Sequence, residues 1–212
     1  MLGKHHAVFG GAAFVAVAQV GQMGLRPAQL AVGTAVTMGA ALVPDLDEPG
    51  ASASRSFGRI GRSLSHVIAK LSGGHRGGTH TLPAVAAAGL GVTAALGHPT
   101  VLAVLCGLLV VVGLDVLPQV REGTEWIVGA LVAVGAQQVI GTTDVWPVAA
   151  VIAGWLSHMV GDTLTPHGVP WCWPLRDLDE TTSLGWFRSG SWAEPVVTWS
   201  LVGGLLLVAG QA

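Results

Sequence analysis

Seven stretches of the chain are apolar for long enough to suggest helices that cross a bilayer: about 7–24, 28–44, 82–97, 99–117, 126–141, 145–161 and 194–210. A span needs about 20 predominantly apolar residues, with a range near 17–25. The third stretch, LPAVAAAGLGVTAALG, is short and rich in Gly and Ala, which suits a helix packed inside a bundle through small residues. Only Gly141–Asp144 separates the fifth from the sixth, so these two form a tight helical hairpin. The first run, Ala7–Met23, has no small-residue cleavage site leading into a soluble domain and is read as a retained span.

Two polar loops, 45–81 and 162–193, interrupt the pattern. The first contains FGRIGRSLSHVIAKLSG, in which Phe57, Ile60, Leu64, Val67, Ile68 and Leu71 recur at helical spacing. Arg59, Arg62, Ser63, His66 and Lys70 fall elsewhere on the wheel. The spacing predicts an amphipathic helix over 57–72. Two seats are open to it: the membrane interface, with its basic face against anionic headgroups, or a place packed on the protein itself.

Composition sharpens this picture. Charged residues make up 10% of the chain, against roughly 25% in an ordinary soluble domain. Apolar residues make up 51%, with 31 glycines besides, which excludes both a water-soluble globule and a disordered chain. Two cysteines, Cys106 and Cys172, are too few for a disulfide scaffold, and neither has a partner at redox spacing. A formal net charge of −2 gives no global field for nucleic acid. The expected fold class is all-α: one domain over 1–212, a polytopic transmembrane helical bundle of about 6–7 spans.

The basic residues orient that bundle. With seven spans, the N-terminus and the segments 45–81, 118–125 and 162–193 share a side that carries Lys4, Arg55, Arg59, Arg62, Lys70, Arg76, Arg121, Arg176 and Arg188. The other side carries Arg26 alone. The positive-inside rule makes the populated side cytoplasmic, so the N-terminus lies inside and the C-terminus outside a bacterial cytoplasmic (inner) membrane. One short span failing to cross would invert every segment after it. Trp126, Trp171, Trp173, Trp186 and Trp192 fall near the cytoplasmic interface as belt anchors, and Trp171 and Trp173 are also placed to wall a lipid entrance.

Metal-type ligands collect on the same face. His5 and His6 precede the first span, Asp45 and Asp47 follow the second, His75 and His80 precede the third, and His158 and Asp162 close the sixth. His98 and Asp144 are left on the far side. His158 and Asp162 stand four apart and share one helical stripe. Asp45-Leu46-Asp47 follows Pro44, and an extended segment there would send the two carboxylates along different directions around a cation. Gly77-Gly78 between the loop histidines allows a sharp turn that would face both imidazoles inward. Each cluster alone also fits a structural hydrogen bond or helix-end solvation; four converging clusters point to a site. Histidine with carboxylate and no cysteine pair suits a divalent metal, Zn²⁺ or Mn²⁺ and also Fe²⁺. His6, Asp45, Asp47, His75, His80, His158 and Asp162 exceed one open catalytic ion and suit two, spaced about 3.5–4 Å apart. Arg76, within the cluster, is a natural phosphate partner, and Glu48 or Glu194 is placed to accept a proton.

At these residues the chain resembles the YdjM-type family of membrane-bound metal-dependent hydrolases. The resemblance rests on His6-Ala-Val-Phe9, Leu42-Val-Pro-Asp-Leu-Asp-Glu-Pro49, Gly74-His-Arg-Gly-Gly-Thr-His-Thr81 and Gly154-Trp-Leu-Ser-His-Met-Val-Gly-Asp-Thr-Leu-Thr-Pro-His-Gly168. Phe187-Arg-Ser-Gly-Ser-Trp-Ala-Glu194 is a weaker fifth block. The blocks run in the family's order along nearly the whole chain, with divergent spans between them. The resemblance implies a multi-span inner-membrane protein with metal-dependent hydrolase activity, and its motif residues fall on His6, Asp45, Asp47, His75, Arg76, His80, His158 and Asp162. Relatives often carry a histidine where this chain has Glu48, so a carboxylate stands in for a ligand there. His167 falls at a variable position.

The expected function is hydrolysis of a phosphoester, of a lipid or of another membrane-proximal substrate, by metal-activated water. The rival is a divalent metal-ion transporter or sensor that uses the same ligands without chemistry. Against the rival, the spans carry almost no charge at mid-depth, and Asp115 near a span end is the one place a path could begin.

Overall fold

The computed structural model describes residues 1–117, 119–120 and 123–212; Arg121, counted above among the basic residues of one side, lies outside them. The described residues form nine α-helices and no strand. They are α1 (Gly3–Val20), α2 (Pro27–Ala40), α3 (Ser52–Arg55), α4 (Gly58–Ser72), α5 (Leu82–Ala94), α6 (Pro99–Asp115), α7 (Thr124–Val139), α8 (Trp146–Thr163) and α9 (Ala193–Ala209). Two 3-10 turns, Val43–Asp47 and Gly78–His80, sit in the first polar loop. An isolated antiparallel bridge, Val169 to Thr182, pins the second.

Each of the seven apolar stretches is a helix, and the helix boundaries follow local chemistry. Prolines stand in the first turn of α2, α5, α6 and α8, where a missing N–H costs nothing. The Thr81 hydroxyl caps α5 by accepting from Ala84 N. By length and composition, one helical run among the described residues suffices to cross a membrane: Pro27–Asp47, 21 residues that join α2 to the turn after it. The apolar helices α5, α6 and α9 are shorter, at 13, 17 and 17 residues.

Helices α1, α2 and α8 pack on one another at the centre. A hairpin of α6 and α7 lies against α2, α9 lies against α1, and α5 against α8. Phe14, Val36, Leu102, Cys106, Val110 and Trp146 fill the space between them. Backbones come close enough that side chains must vanish at some crossings. A Cβ on Gly39 of α2 would run into the Leu109 carbonyl oxygen of α6, and one on Gly154 of α8 would meet the Thr37 carbonyl of α2 at 2.7 Å.

The amphipathic segment forms α4, one residue inside its predicted start, and ends on Gly73 in the left-handed conformation. It rests on the protein through its small residues, Gly61 and Ser65. Its apolar stripe of Ile60, Leu64, Val67 and Leu71 remains 52–80% exposed.

Antiparallel packing sorts the chain ends of the helices into two poles. Arg26, Gln29 and Asp144 meet at one pole, where Gln29 donates to Asp144 Oδ2 at 2.8 Å and Arg26 to the Val139 carbonyl at 3.0 Å. The starts of α1, α5 and α9 and the ends of α2 and α8 gather at the other.

Candidate metal centre

Two helix ends build the floor of this second pole. On α8, His158 and Asp162 stand one turn apart, with side chains 0% and 2% exposed. The backbone beyond α2 does not run on extended, as expected for Asp45 and Asp47, but tightens into a 3-10 turn closed by Glu48 N donating to the Asp45 carbonyl. Pro44, the second residue of this turn, permits it, because its fixed φ is compatible with a 3-10 start. Asp45 and Asp47 therefore point into one space from successive sides of a tight coil.

The loop histidines enter from above. The left-handed residues of their turn are Gly74 (φ +103°) and Arg76 (φ +59°), not the Gly77-Gly78 pair. Gly77 is needed for another reason, since a Cβ there would strike the Ser72 carbonyl. Asp47 organises this loop. It accepts from Arg76 N at 3.0 Å, lies 2.9 Å from His75 Nδ1, and takes the Thr79 hydroxyl proton at Oδ2.

The tautomers of the two buried histidines follow from their partners. His158 Nδ1 lies 2.7 Å from the Ala41 carbonyl, which can only accept, so the neutral ring presents the Nε2 lone pair. His80 Nδ1 lies 2.9 Å from the Thr79 hydroxyl, whose own proton is given to Asp47, and 3.3 Å from Asp47 Oδ2. His80 Nε2 is thereby also turned inward, in the carboxylate–histidine arrangement that orients metal ligands. The two Nε2 atoms face each other at 3.0 Å. Asp45 Oδ1 lies 3.7 and 3.5 Å from them, and Asp162 Oδ2 lies 3.8 and 3.6 Å away. Adjacent ligands around one cation at bonds of about 2.1 Å are separated by about 3.0 Å in an octahedron and about 3.4 Å in a tetrahedron.

This donor set fits a divalent cation. Two inward lone pairs at 3.0 Å repel unless positive charge lies between them. Asp45, Asp47 and Asp162 also bring three negative charges into the space, against which stand the Arg76 guanidinium and the Met1 ammonium, 2.6 Å from Asp162 Oδ1; the charge left over is costly to bury. His6 completes one side: its ring stacks on His158 at 3.8 Å, its Nε2 lies 3.2 Å from Asp162 Oδ1, and its buried Nδ1 has no partner. Three overlapping groups have ligand atoms close enough to hold an ion: His6, His158 and Asp162; Asp45, His80 and His158; and Asp45, Asp47 and His75.

Without a metal, protons supply the missing charge. Burial alone would pull the His80 imidazole down, but its hydrogen bonds to Asp45 and Asp47 outweigh this and lift it from 6.5 to about 9. The Asp47 hydrogen bond likewise raises His75.

Arg76 is held tightly. Its Nε lies 2.9 Å from Asp162 Oδ2 and its NH1 donates to Thr165 Oγ1 at 3.0 Å. It also lines a cleft of about 540 Å³ with His75, Thr165, His167 and Arg188. The two expected proton acceptors lie differently. Glu48 turns back on its own loop and accepts from Gly50 N. Glu194 is buried against other groups: one oxygen takes Leu2 N and His5 Nδ1, the other takes Gly190 N. Glu194 thereby fastens α9 to the start of α1, with both of its oxygens engaged. It also accounts for His5, which does not join the metal-type cluster.

Thr79, Thr165 and Arg188 were not named as site residues from the sequence, although the first two lie inside the HRGGTH and TPHG motifs and the third inside the weak fifth block. A family model described as YdjM inner membrane protein matches residues 1–210. No curated protein and no solved structure matches the chain.

Proposed function

The chain belongs to the YdjM family of inner membrane proteins, and from that premise we propose that it is a membrane-bound, metal-dependent hydrolase of phosphoesters. The observation that carries this reading is the convergence of His80 Nε2, His158 Nε2, Asp45 Oδ1 and Asp162 Oδ2 beside an open cleft that Arg76 and Arg188 line. A transporter or sensor needs the ligands but has no use for a cleft of about 540 Å³ with two guanidinium groups in its wall.

Asp45, His80 and His158 would hold one divalent ion, with Asp162 Oδ2 close to both imidazoles, and Asp45, Asp47 and His75 would offer a second position. Zn²⁺ and Mn²⁺ suit this mixture of imidazole and carboxylate, as does Fe²⁺. A bound divalent ion supplies a nucleophilic water at neutral pH and neutralises charge that grows on the phosphoryl oxygens. The chain's own residues do the rest. Thr79 and Asp47 hold His80 in the tautomer that leaves Nε2 free. Arg76 orients Asp162 and offers its remaining N–H groups to a phosphate in the cleft, with Arg188 beside it. Water adds its oxygen to phosphorus, the ester P–O bond breaks, and the leaving oxygen departs as an alcohol with a proton drawn from the solvated cleft. The proton released by the attacking water passes to the solvated cleft.

The seven apolar helices cross the membrane in this reading, with the metal pole cytoplasmic and α4 lying in the interface. The exposed stripe of α4 and the exposed apolar side chains Val101, Ile127, Leu131, Val134 and Leu207, at 56–70%, support that seat. The test is hydrolysis of a panel of phosphoesters by metal-loaded protein, with elemental analysis of the metal. About two divalent ions per chain and turnover abolished by Asp162→Ala are expected. Metal retained without any turnover would favour the transporter or sensor reading, and metal-free protein after gentle purification would remove the site.

A further inference from the structure

A second cavity, with no lining residue in common with the polar cleft, borders the cluster. It has about 500 Å³ and is lined by Ile68, Leu71, Ala84, Ala88, Trp155 and Trp173. Its wall includes Thr79, whose hydroxyl donates to Asp47 and whose carbonyl accepts Trp155 Nε1 at 2.9 Å. The groove is therefore separated from the metal-type ligands by a single residue, next in sequence to His80. Ile68, Leu71 and Ser72 of α4 form part of its wall. Leu71 belongs both to the groove wall and to the exposed apolar stripe of that helix. Arg59, Arg62 and Lys70 are exposed on the same helix, and among the described residues none of the three takes part in an ion pair.

Resting on the hydrolase reading, we propose that this groove seats an acyl chain of an anionic phospholipid, which makes the substrate a membrane lipid rather than a soluble phosphoester. Three features select that occupant. The lining is apolar but for Ser72 and Thr79, so no polar ligand finds partners along it. The groove continues an apolar stripe whose basic neighbours complement anionic headgroups. The polar cleft with Arg76 and Arg188 meets the same cluster through the contact of Arg76 to Asp162, and there the phosphate of a lipid held by its chain would come to rest. Arg188 takes part in no ion pair among the described residues and is free to meet it. Trp155 and Trp173 act as specificity residues, admitting a flexible chain between them.

The test fills the groove. Ala87 lines it and is exposed, so Ala87→Trp adds a ring to the groove without entering the helix packing. Delipidated full-length protein in maltoside micelles is given palmitoyl-oleoyl phosphatidylglycerol and read by native mass spectrometry. Leu207→Trp, a similar ring at an exposed position of α9, serves as control. Wild type and the control should retain one lipid per chain, and Ala87→Trp should lose it at least ten-fold with metal content unchanged. The ratio of phosphatidylglycerol turnover to p-nitrophenyl phosphate turnover should fall by a similar factor. Equal lipid retention in Ala87→Trp and wild type would overturn the proposal, as would an unchanged turnover ratio. Retention is read without catalysis. A protein that holds lipid in this groove but hydrolyses nothing sinks the hydrolase reading alone, while one that hydrolyses both esters regardless of the substitution sinks the acyl subsite alone.

Discussion

Metal binding at neutral pH must expel a proton, and the size of that effect follows from His80. Its imidazole is held to about 9 in the metal-free pocket. At pH 7.5 the ring is then about 97% protonated, and a cation that takes Nε2 displaces close to one proton. The apparent affinity is weakened about 30-fold relative to the deprotonated ring, or about 2 kcal/mol, and should rise about ten-fold per pH unit up to pH 9. Titration calorimetry with Zn²⁺ or Mn²⁺ in buffers of differing ionisation enthalpy reads the released protons directly. Asp47→Asn removes one of the two carboxylates that lift His80 and should lower the proton count at pH 7.5. The sign for stability follows the same group. Because the folded value lies above the ordinary 6.5, His80 stabilises the metal-free fold fully below pH 6.5, and that contribution is lost as pH rises through about 9. Metal-free protein should therefore melt at lower temperature at pH 9 than at pH 6.5, and metal-loaded protein should not. An affinity independent of pH with no proton release would refute the idea that His80 and its carboxylates form a cation pocket.

Three further outcomes are expected. Arg76→Lys keeps the charge but loses the fork that spans Asp162 and Thr165, so activity should fall about 10–100-fold with metal retained, measured by turnover alongside elemental analysis. Gly39→Ala drives a methyl into the α6 backbone and should cost about 3 kcal/mol, at the upper end for overpacking because backbone cannot swing aside; melting in detergent checks it. Glu194→Gln leaves one of its acceptor contacts, to Leu2 N, His5 or Gly190 N, unmet and should destabilise by about 1–3 kcal/mol, with metal content and turnover per folded molecule intact.

The helices were legible because each stretch is apolar around its whole circumference, and the first-turn prolines mark their starts. What the apolar pattern hides is direction within a helix. Nothing in LVPDLDEP distinguishes an extended strand of carboxylates from a 3-10 coil; Pro44 permits both, and packing beneath the loop histidines selects the coil. The strained residue of GGHRGGTH was equally hidden. Paired glycines draw attention to themselves, yet the left-handed conformation at the centre of that turn falls on Arg76, held by Asp47, Asp162 and Thr165. The ligand pairing of His158 with Asp162 was readable from spacing, since four residues on a helix is a fixed distance. The partition of Glu194 and His5 away from the cluster was not, because two carboxylates near one membrane face look alike until their hydrogen bonds are known.

Helix polarity supplies an independent reason for a cation at this pole. Asp162 lies in the last turn of α8, and Asp45 and Asp47 lie just past the last turn of α2. Helix C-termini carry partial negative charge, so carboxylates are disfavoured there and cations favoured. Three aspartates placed at two such ends, with side chains 0–18% exposed, oppose the dipoles as well as one another. Arg76 and the Met1 ammonium, both paired with Asp162, offset part of this, and the remainder calls for positive charge beside Asp45 and Asp47. The Ala41 carbonyl, at the end of α2, meets part of its own need by accepting His158 Nδ1–H, which leaves Nε2 facing the gap. The same helix ends that make the carboxylates costly therefore aim the imidazole that would bind the ion. If the site were merely structural, Asp162→Asn and Asp45→Asn would relieve repulsion and raise the melting temperature of protein prepared with its metal. The cation reading predicts a fall for metal-loaded protein and a rise only after chelation, so one pair of melting curves per variant separates the two.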